Sequence, residues 1–359
     1  MTCEWYQLDQ DQRRQLIMDR IDTILTVVQT DGSLMYPNMR DWNNVTFHPG
    51  YGLLSVEDPK VSQLSGPGLG KFVQILELMR NLVLTNRRTT KRDIFYQMFV
   101  SCSSQQEVDR LVAVAVAVLE VPRLMLGVMA TSKGAVVGDL RYTNSEGVVV
   151  DCSLAVGGDA IPQDVTSITQ IVTAARFILV VEKDAVFQRL LEDGIFSGCL
   201  PSLIMITGKG VPDLATRQLV YLLSSKFSLP VLILTDCDPY GLEIFLMYKY
   251  GSLAMSWAAE PLAVSTSLWL GLLPSELSVL EIGDSSMKPH SDMDTRKMME
   301  MSKREYLQEE ADNDGLRREL EMMWNIGRKA EIQQIVETRD EGFLAQEYLP
   351  WKISRCSWI

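Results

Sequence analysis

Three carboxylates stand directly after two short apolar runs of the sequence. Glu182 follows the run from Phe177 to Val181, and Asp236 and Asp238 follow the run from Val231 to Thr235. Short apolar runs that contain β-branched residues are typical of the central strands of a parallel sheet. Because ligands bind at the carboxyl ends of such strands, we expect the three carboxylates to converge at one edge of the sheet. Carboxylate oxygens are ligands that suit Mg²⁺, so the pattern predicts a magnesium site for phosphate chemistry.

Acidic residues after a strand also have other interpretations. Such a residue commonly caps a helix or lies in a solvated loop. An EF-hand loop also contains D-x-D-x-x-G, but Tyr240 and Met247 stand at two of its ligand positions and Pro239 lies inside the loop, which excludes that class. A phosphatase with an aspartyl nucleophile places D-x-D after a strand as well. That alternative stays open here, although it does not account for Glu182.

A second candidate for chemistry is Tyr96, in the segment TNRRTTKRDIFYQMFV. A tyrosine in an apolar helical stretch is ordinarily a core residue. Arg92, however, stands four residues earlier and therefore on the same helix face. Since a phenol with a pKa of about 10 is a weak nucleophile at neutral pH, a neighbouring guanidinium would favour both the phenolate and a bound phosphate. A tyrosine nucleophile combined with a carboxylate–Mg²⁺ site indicates chemistry like that of type II topoisomerases.

The elements around the carboxylates predict an α/β fold with a parallel sheet. Residues 185–193 form a predicted helix that Gly194 closes, residues 203–206 a third strand, and residues 214–227 an amphipathic helix. The order is therefore β-α-β-α-β. Strands that are neighbours in such a sheet lie about 4.8 Å apart, so that their ends can share a metal ion.

The elements around the tyrosine predict a small separate domain. Helices are expected at residues 71–84, after Thr90 and at residues 105–120, followed by a hairpin of residues 124–130 and 135–140 that the turn TSKG joins. Three helices and a hairpin are typical of a winged helix, a DNA-binding fold. Its predicted second helix lies in a basic cluster on a chain of net charge −12, which consists of Arg80, Arg87, Arg88, Lys91 and Arg92.

Composition narrows the class of protein. A chain of 359 residues suggests two domains. Its six cysteines include no C-x-x-C pair, which predicts reduced thiols in the cytosol or nucleus. The two histidines are too few for a histidine-based zinc site, and the longest apolar stretch, LVAVAVAVL, is too short for a membrane span. No phosphate-binding P-loop is present, so that any ATPase activity is expected from a partner. The net negative charge predicts that DNA contacts are confined to the winged-helix face.

From about residue 70 onward, the chain resembles the family of meiotic double-strand-break transesterases, eukaryotic relatives of the topoisomerase VI A subunit. The segments that carry the resemblance are TKRDIFYQ, TSKGAVVGDLRY, VVEKDAVFQRLL, ITGKGVPDLATRQLV, TDCDPYGLEI, YKYGSLAMS, WLGLLPSEL and RKAEIQQ. The resemblance implies a CAP-like winged-helix domain that carries a nucleophilic tyrosine. It also implies that a Toprim domain, which is Rossmann-like, follows and binds Mg²⁺.

Residue by residue, Tyr96 matches the attacking tyrosine of this family and Arg92 the arginine before it. Many relatives have two adjacent tyrosines, but here Phe95 occupies the first position, which leaves Tyr96 as the candidate. The metal-binding acids of the Toprim domain match Glu182, Asp236 and Asp238. The resemblance further implies DNA contacts at Arg92, at Lys133 of the TSKG turn and at Val211. Some relatives carry an aromatic residue where Val211 stands, so the smaller side chain puts that contact in question.

The expected boundaries are an N-terminal extension over residues 1–69, a winged-helix domain over 70–143, a connector over 144–172 and a Toprim domain over 173–359. The extension is expected to bind a partner. The implied function is a type IIB topoisomerase-like transesterase that makes DNA double-strand breaks through a covalent 5′-phosphotyrosyl link and so initiates meiotic recombination. The alternatives are a non-cutting DNA-binding or scaffold relative and a general strand-passing subunit like that of topoisomerase VI.

Several partners follow from that resemblance. They are double-stranded DNA, a second copy of the chain in a dimer with shared active sites, meiotic accessory proteins and a topoisomerase VI B-like subunit. The expected location is the nucleus, on chromosomes, with no membrane association.

Overall fold

The computed structural model describes residues 8–38, 41–56, 59–129, 132–198, 200, 202–283, 286–308 and 313–359. The chain divides into two compact units. The first consists of Met1–Thr46, Leu54–Thr131 and Ser252–Pro261, and the second of Phe47–Leu53, Ser132–Gly251 and Leu262–Ile359. The first unit therefore contains the tyrosine segment, and the second contains the three carboxylates.

Up to residue 129 the chain is mainly helical, with short strands between the helices. In chain order its elements are α1 (Gln10–Asp31), β1 (Ser33–Pro37), β2 (Thr46–His48), β3 (Leu53–Ser55), β4 (Val61–Ser65), α2 (Gly66–Thr85), β5 (Thr89–Thr90), α3 (Lys91–Gln97), α4 (Gln105–Leu119) and β6 (Val128–Met129). Strand β1 pairs antiparallel with β4, and β5 pairs in parallel with β6. The three helices predicted around Tyr96 are thus present as α2, α3 and α4.

One apolar core holds the helices of the first unit together. Ile17 and Ile21 of α1 lie in this core with Phe72 of α2, Ile94 of α3 and Leu111 of α4, and none of these side chains is more than 2% exposed. Burial of apolar side chains on this scale is the main force that stabilises a helical unit of this kind. The segment expected as an N-terminal extension therefore contributes a helix to the same core.

The β-hairpin predicted after the third helix is wrong. Most of its first strand is a 3₁₀ helix, Arg123–Leu126, and β6 pairs with β5 instead. Ala130 and Thr131 lie outside the described residues. The second predicted strand, Ala135–Gly138, joins the sheet of the second unit because all four of its residues are buried. A strand that is buried on both faces requires a sheet that is covered on both sides.

The second unit alternates strands and helices and then ends in a helical region. In chain order its elements are β7 (Ala135–Gly138), β8 (Arg141–Thr143), β9 (Val149–Asp151), β10 (Asp159–Ala160), β11 (Thr169–Val172), β12 (Phe177–Val181), α5 (Asp184–Glu192), β13 (Leu203–Thr207), α6 (Leu214–Phe227), β14 (Val231–Leu234), α7 (Pro239–Lys249), β15 (Leu268–Gly271), β16 (Lys288–Pro289), α8 (Asp292–Met301), α9 (Asp314–Ile326), β17 (Arg328–Lys329), α10 (Ile332–Thr338) and α11 (Leu349–Ser354). Within the described ranges, no helix combines the length and the apolar character that crossing a membrane requires.

The main sheet of the second unit has the strand order β10-β7-β13-β12-β14-β15. Strands β13, β12, β14 and β15 run parallel, and β7 runs antiparallel to β13. The predicted β-α-β-α-β order is confirmed as β12, α5, β13, α6 and β14. The three strands are buried along their whole length, as continuous apolar runs require. Because β12 lies between β13 and β14, its carboxyl end is adjacent to both neighbouring strand ends.

Residues 144–172, expected as a connector, contain three strands. Strands β11, β8 and β9 form a small antiparallel sheet in that order, and β10 pairs with β7 at the edge of the main sheet. These strands span only two to four residues each. Runs this short carry too little periodicity to be recognised from the sequence.

Candidate catalytic tyrosine and metal centre

Helix α3 presents Tyr96 at the surface of the first unit. Thr90 caps the helix: its hydroxyl accepts a hydrogen bond of 3.1 Å from the backbone N–H of Asp93, and the Asp93 carboxylate accepts one of 3.1 Å from the N–H of Thr90. This reciprocal capping confirms the predicted helix start. Ile94 is fully buried and Met98 is 6% exposed, so that both fix the inner face of the helix. Tyr96 is 61% exposed on the outer face and is therefore not a core residue.

Arg92 and Tyr96 share the outer face of α3. Both are exposed, and their spacing of four residues places them one helical turn apart. The ring of Phe95 is half-buried, and its centroid lies 5.9 Å from that of Tyr96. A phosphate group at this face could contact the phenol and the guanidinium together.

The predicted basic cluster is divided between internal ion pairs and surface positions. Arg80 pairs with Asp22 over 2.9 Å, and Lys91 pairs with Asp109 over 3.3 Å. Arg87 is exposed just before α3. Two of the cluster's charges are thus engaged within the unit, and the surface charge is concentrated next to the tyrosine helix.

Glu182 and Asp236 meet at the carboxyl ends of β12 and β14. The N–H of Glu182 donates to the carbonyl of Leu234 over 3.0 Å, which continues the pairing of the two strands. The N–H of Asp236 in turn donates to Oε2 of Glu182 over 3.0 Å. The expected convergence of the two strand ends is therefore present, and the Glu182 side chain lies directly against the backbone of Asp236.

Asp236 is almost completely buried, with 3% exposure. Its Oδ1 accepts a hydrogen bond of 2.9 Å from the N–H of Ile332, and its Oδ2 lies 2.6 Å from Nζ of Lys183. Ile332 is brought here by an antiparallel bridge between Cys237 and Ala330. The C-terminal region thus supplies part of the surroundings of Asp236.

Asp238 caps helix α7. Its Oδ1 accepts hydrogen bonds from the N–H groups of Tyr240 and Gly241 over 2.9 and 2.7 Å. A side chain at Gly241 is excluded, because a Cβ atom there would lie 2.3 Å from the carbonyl oxygen of Asp236. The capping role, which was one alternative for an acid after a strand, is therefore real. It uses one oxygen and leaves the side chain at the same sheet edge as Asp236.

The electrostatics of this edge favour a cation. Burial, together with the charges of Asp236 and Asp238, raises the pKa of Glu182 to about 7. Burial also raises the pKa of Asp236, although Lys183 acts in the opposite direction. Three acids that disfavour one another's ionisation are a suitable donor set for a divalent cation. In the part of the chain that the structure describes, no group of three His, Cys, Asp or Glu side chains has the spacing of a complete metal site.

Lys183 is a residue of this site that the sequence did not indicate as functional. Its Nζ contacts Oδ2 of Asp236, Oε2 of Glu331 over 2.8 Å and Oε1 of Gln333 over 3.0 Å. Lys288 contacts the other oxygen of Glu331 over 2.7 Å, and the two lysines lower the pKa of Glu331 to about 2. The only available signal was the position of Lys183 next to Glu182, since Glu331 and Gln333 are more than a hundred residues away in the chain.

Lys133 and Val211 lie near Glu182, in the second unit. The N–H of Lys133 donates to Asp213 over 2.7 Å, and its Nζ donates to the carbonyl of Lys209 over 3.1 Å. The same loop returns to Glu182, whose carbonyl accepts a bond of 2.8 Å from the N–H of Gly210. Val211 is 58% exposed. The expected wing turn at Lys133 is wrong, since no hairpin forms there, but the lysine borders the loop that adjoins the carboxylates.

Both units match models of known protein families. Residues 177–353 match the family described as the Toprim domain of Spo11 and of the topoisomerase 6 A subunit. Residues 69–128 match the family described as type IIB DNA topoisomerase. The parallel sheet that carries Glu182, Asp236 and Asp238 is therefore a Toprim domain.

Curated relatives match over most of the chain. The meiotic recombination protein SPO11 of Mus musculus is 38% identical over 90% of this chain and 82% of its own length, and that of Homo sapiens is 39% identical over the same shares. The A subunit of DNA topoisomerase 6 of Arabidopsis thaliana is 35% identical over 80% of this chain and 66% of its own length. The chain belongs to the family of Spo11 and the topoisomerase 6 A subunit.

Proposed function

We propose that this protein makes the DNA double-strand breaks that initiate meiotic recombination, by Mg²⁺-dependent tyrosyl transesterification. Tyr96 is the nucleophile. The observation that carries the proposal is the exposed phenol of Tyr96, one helical turn from Arg92, on a helix that buried side chains hold in place. Membership of the family supports it, as do the relatives that are named meiotic recombination proteins.

The reaction is an exchange of phosphate esters. The Oη of Tyr96 forms a bond to phosphorus while the bond from phosphorus to the 3′ oxygen breaks. The tyrosine loses its proton and the leaving 3′ oxygen gains one, so neither water nor an external energy source is consumed. The product is a 5′-phosphotyrosyl link and a free 3′ hydroxyl. The guanidinium of Arg92 would hold a phosphate oxygen and disperse the charge that develops there.

We propose Glu182, Asp236 and Asp238 as the residues that hold Mg²⁺. Bound Mg²⁺ would neutralise phosphate oxygens near the cleaved bond. Lys133 and Val211 border the loop after β13 and would contact the DNA backbone and sugar near that site. The shorter side chain of Val211, compared with an aromatic residue, predicts a weak contact at that position.

The partners follow from the geometry of a double-strand break. One Tyr96 can hold one 5′ end, so that two strands require two chains, and a dimer with two-fold symmetry matches duplex DNA. We propose that each active site combines Tyr96 of one chain with the carboxylates of the other. Meiotic accessory proteins and a topoisomerase VI B-like subunit would complete the assembly, which would act on chromosomes in the nucleus.

The test of the proposed function is the covalent adduct. Purified protein, with its B-type partner where one is needed, is incubated with labelled duplex DNA and Mg²⁺ and then denatured. Wild-type protein should retain label, and Tyr96→Phe should retain none while its DNA affinity stays within about twofold, because only the hydroxyl is lost. Tyr51→Phe is the matched control, since Tyr51 is also exposed, at 72%. Adducts that persist in Tyr96→Phe would assign the nucleophile to another residue.

A second candidate function is that of a strand-passing subunit, which the resemblance to the A subunit of DNA topoisomerase 6 of Arabidopsis thaliana favours. Relaxation of supercoiled DNA in the presence of ATP and a B-type partner would distinguish it. The non-cutting alternative predicts DNA binding with no adduct under any of these conditions.

A further inference from the structure

The ammonium group of Lys183 has three oxygen acceptors from distant parts of the second unit. It lies 2.6 Å from Oδ2 of Asp236, 2.8 Å from Oε2 of Glu331 and 3.0 Å from Oε1 of Gln333. Asp236 is at the sheet edge, whereas Glu331 and Gln333 belong to the segment around the start of α10. Lys183 therefore stands between the proposed metal site and a second group of acceptors.

Asp236 depends on Lys183 for compensation of its charge. The carboxylate is 3% exposed, and its other oxygen accepts a hydrogen bond from a neutral backbone N–H, that of Ile332. A buried carboxylate without a nearby cation is costly. The lysine therefore supplies, in the metal-free protein, positive charge of the kind that a divalent cation would supply.

Lys183 can leave Asp236 without losing its other partners. Its side chain is 28% exposed, and a lysine carries its charge on a flexible stem of four carbons. Glu331 and Gln333 would still accept its hydrogen bonds. Glu331 is held from its other side by Lys288 over 2.7 Å, so that the second group of acceptors is fixed in position.

We propose that Lys183 is a resident counter-ion of Asp236 that a divalent cation displaces toward Glu331 and Gln333. The inference rests on the proposed Mg²⁺ site and deepens it. Lys183 competes with Mg²⁺ for Oδ2 of Asp236, and Glu331 sets the strength of that competition by attracting the lysine away. The device keeps the acidic edge stable before the metal binds and lowers the affinity for Mg²⁺.

The primary test is Mg²⁺ titration of the full chain by calorimetry, without DNA. Lys183→Met should bind Mg²⁺ about tenfold more tightly, as expected if the lysine occupies Asp236 in about nine of ten metal-free molecules. Lys288→Met is the matched control: it removes the same charge and also contacts Glu331, but it does not contact Asp236. Its affinity should change by less than about threefold, the effect of removing a more distant, exposed charge. An equal or weaker affinity in Lys183→Met would overturn the inference.

A double-mutant cycle tests the role of Glu331. Glu331→Gln should weaken Mg²⁺ binding in the wild-type background, because Lys183 then rests on Asp236, and this effect should largely disappear in the Lys183→Met background. Equal effects in both backgrounds would overturn the inference. Lys183→Gln, which keeps a hydrogen-bond donor, replaces Lys183→Met if the latter does not fold.

These outcomes separate the inference from the proposed function. If Asp238→Asn weakens Mg²⁺ binding but Lys183→Met and Lys183→Gln bind like the wild type, the metal site stands and the counter-ion role fails. If none of the proteins binds Mg²⁺, both fail.

Discussion

The backbone N–H of Asp236 donates a hydrogen bond of 3.0 Å to Oε2 of Glu182. This bond connects the ends of two neighbouring parallel strands and holds the Glu182 carboxylate beside the buried Asp236. A glutamine at position 182 could accept the same bond through its amide oxygen, but it carries no charge. The substitution Glu182→Gln therefore separates the geometry of the strand ends from their charge.

The first prediction concerns the stability of the metal-free protein as pH changes. The pKa of Glu182 is about 7 in the folded protein, above its ordinary value of 4.5. Between these values the unfolded chain releases the proton that the folded chain retains, so the free energy of unfolding falls as pH rises and levels off above 7. We expect a loss of about 1–3 kcal/mol, smaller than the full shift implies because the side chain is partly solvated.

Unfolding by urea in the presence of a chelator measures this effect. The difference in free energy of unfolding between Glu182→Gln and the wild type should grow in favour of the variant from pH 4.5 to 7. Addition of Mg²⁺ above pH 7 should stabilise the wild type more than the variant. Parallel pH profiles of the two proteins would contradict the prediction.

The second prediction concerns Asp238, whose carboxylate both caps α7 and lies at the proposed metal site. Asparagine caps helices about as well as aspartate, so Asp238→Asn should unfold like the wild type but bind Mg²⁺ at least about tenfold more weakly. Asp238→Ala loses the cap as well and should be less stable by about 1 kcal/mol. Calorimetric Mg²⁺ titration and urea unfolding of both variants check the two effects separately. Unchanged Mg²⁺ affinity in Asp238→Asn would remove this residue from the metal site.

The central strands and the carboxylate edge could be predicted because their signals are local. Strands β12 and β14 are continuous apolar runs, and the acids follow them directly, so that a parallel arrangement is enough to bring Glu182 and Asp236 together. The helix of Tyr96 was likewise predictable from its capping residues, Thr90 and Asp93.

The remaining parts depend on pairings over long distances in the chain. The apolar run of β7 fits a hairpin as well as a sheet edge, and only its burial against β13 decides between them. The contact between Lys183 and Glu331 exists because Ala330 pairs with Cys237, and no local pattern indicates that bridge. Tertiary context of this kind overrides local pattern in short strands.

The third prediction concerns Arg92. If its guanidinium holds a phosphate oxygen beside Tyr96, Arg92→Ala should lower the rate of adduct formation by about 100-fold, and Arg92→Lys should recover only part of it because lysine lacks the planar fork. Arg87→Ala is the control, since Arg87 is an exposed basic residue outside α3. It should weaken DNA binding to a similar small extent but leave the rate with saturating DNA nearly unchanged. Equal rates for the Arg92→Ala and Arg87→Ala variants would contradict a specific role for Arg92.

The last prediction concerns the sharing of active sites in the dimer. Tyr96 belongs to the first compact unit of the chain, and Glu182 belongs to the second. In a shared site, Tyr96 of one chain acts with the carboxylates of the other. A Tyr96→Phe chain and a Glu182→Ala chain, each inactive alone, are therefore mixed under conditions that allow the chains of different dimers to exchange.

Each heterodimer with shared sites has one site that contains both defects and one site that contains neither. Single-strand nicking, with covalent adducts on the Glu182→Ala chain alone, should therefore return on mixing, whereas double-strand breaks should not. If each site formed within one chain, every site in the mixture would lack an essential group and no nicking could return. A tag on one chain identifies which protein carries the DNA, and a mixture of differently tagged Tyr96→Phe chains, which should remain inactive, is the control.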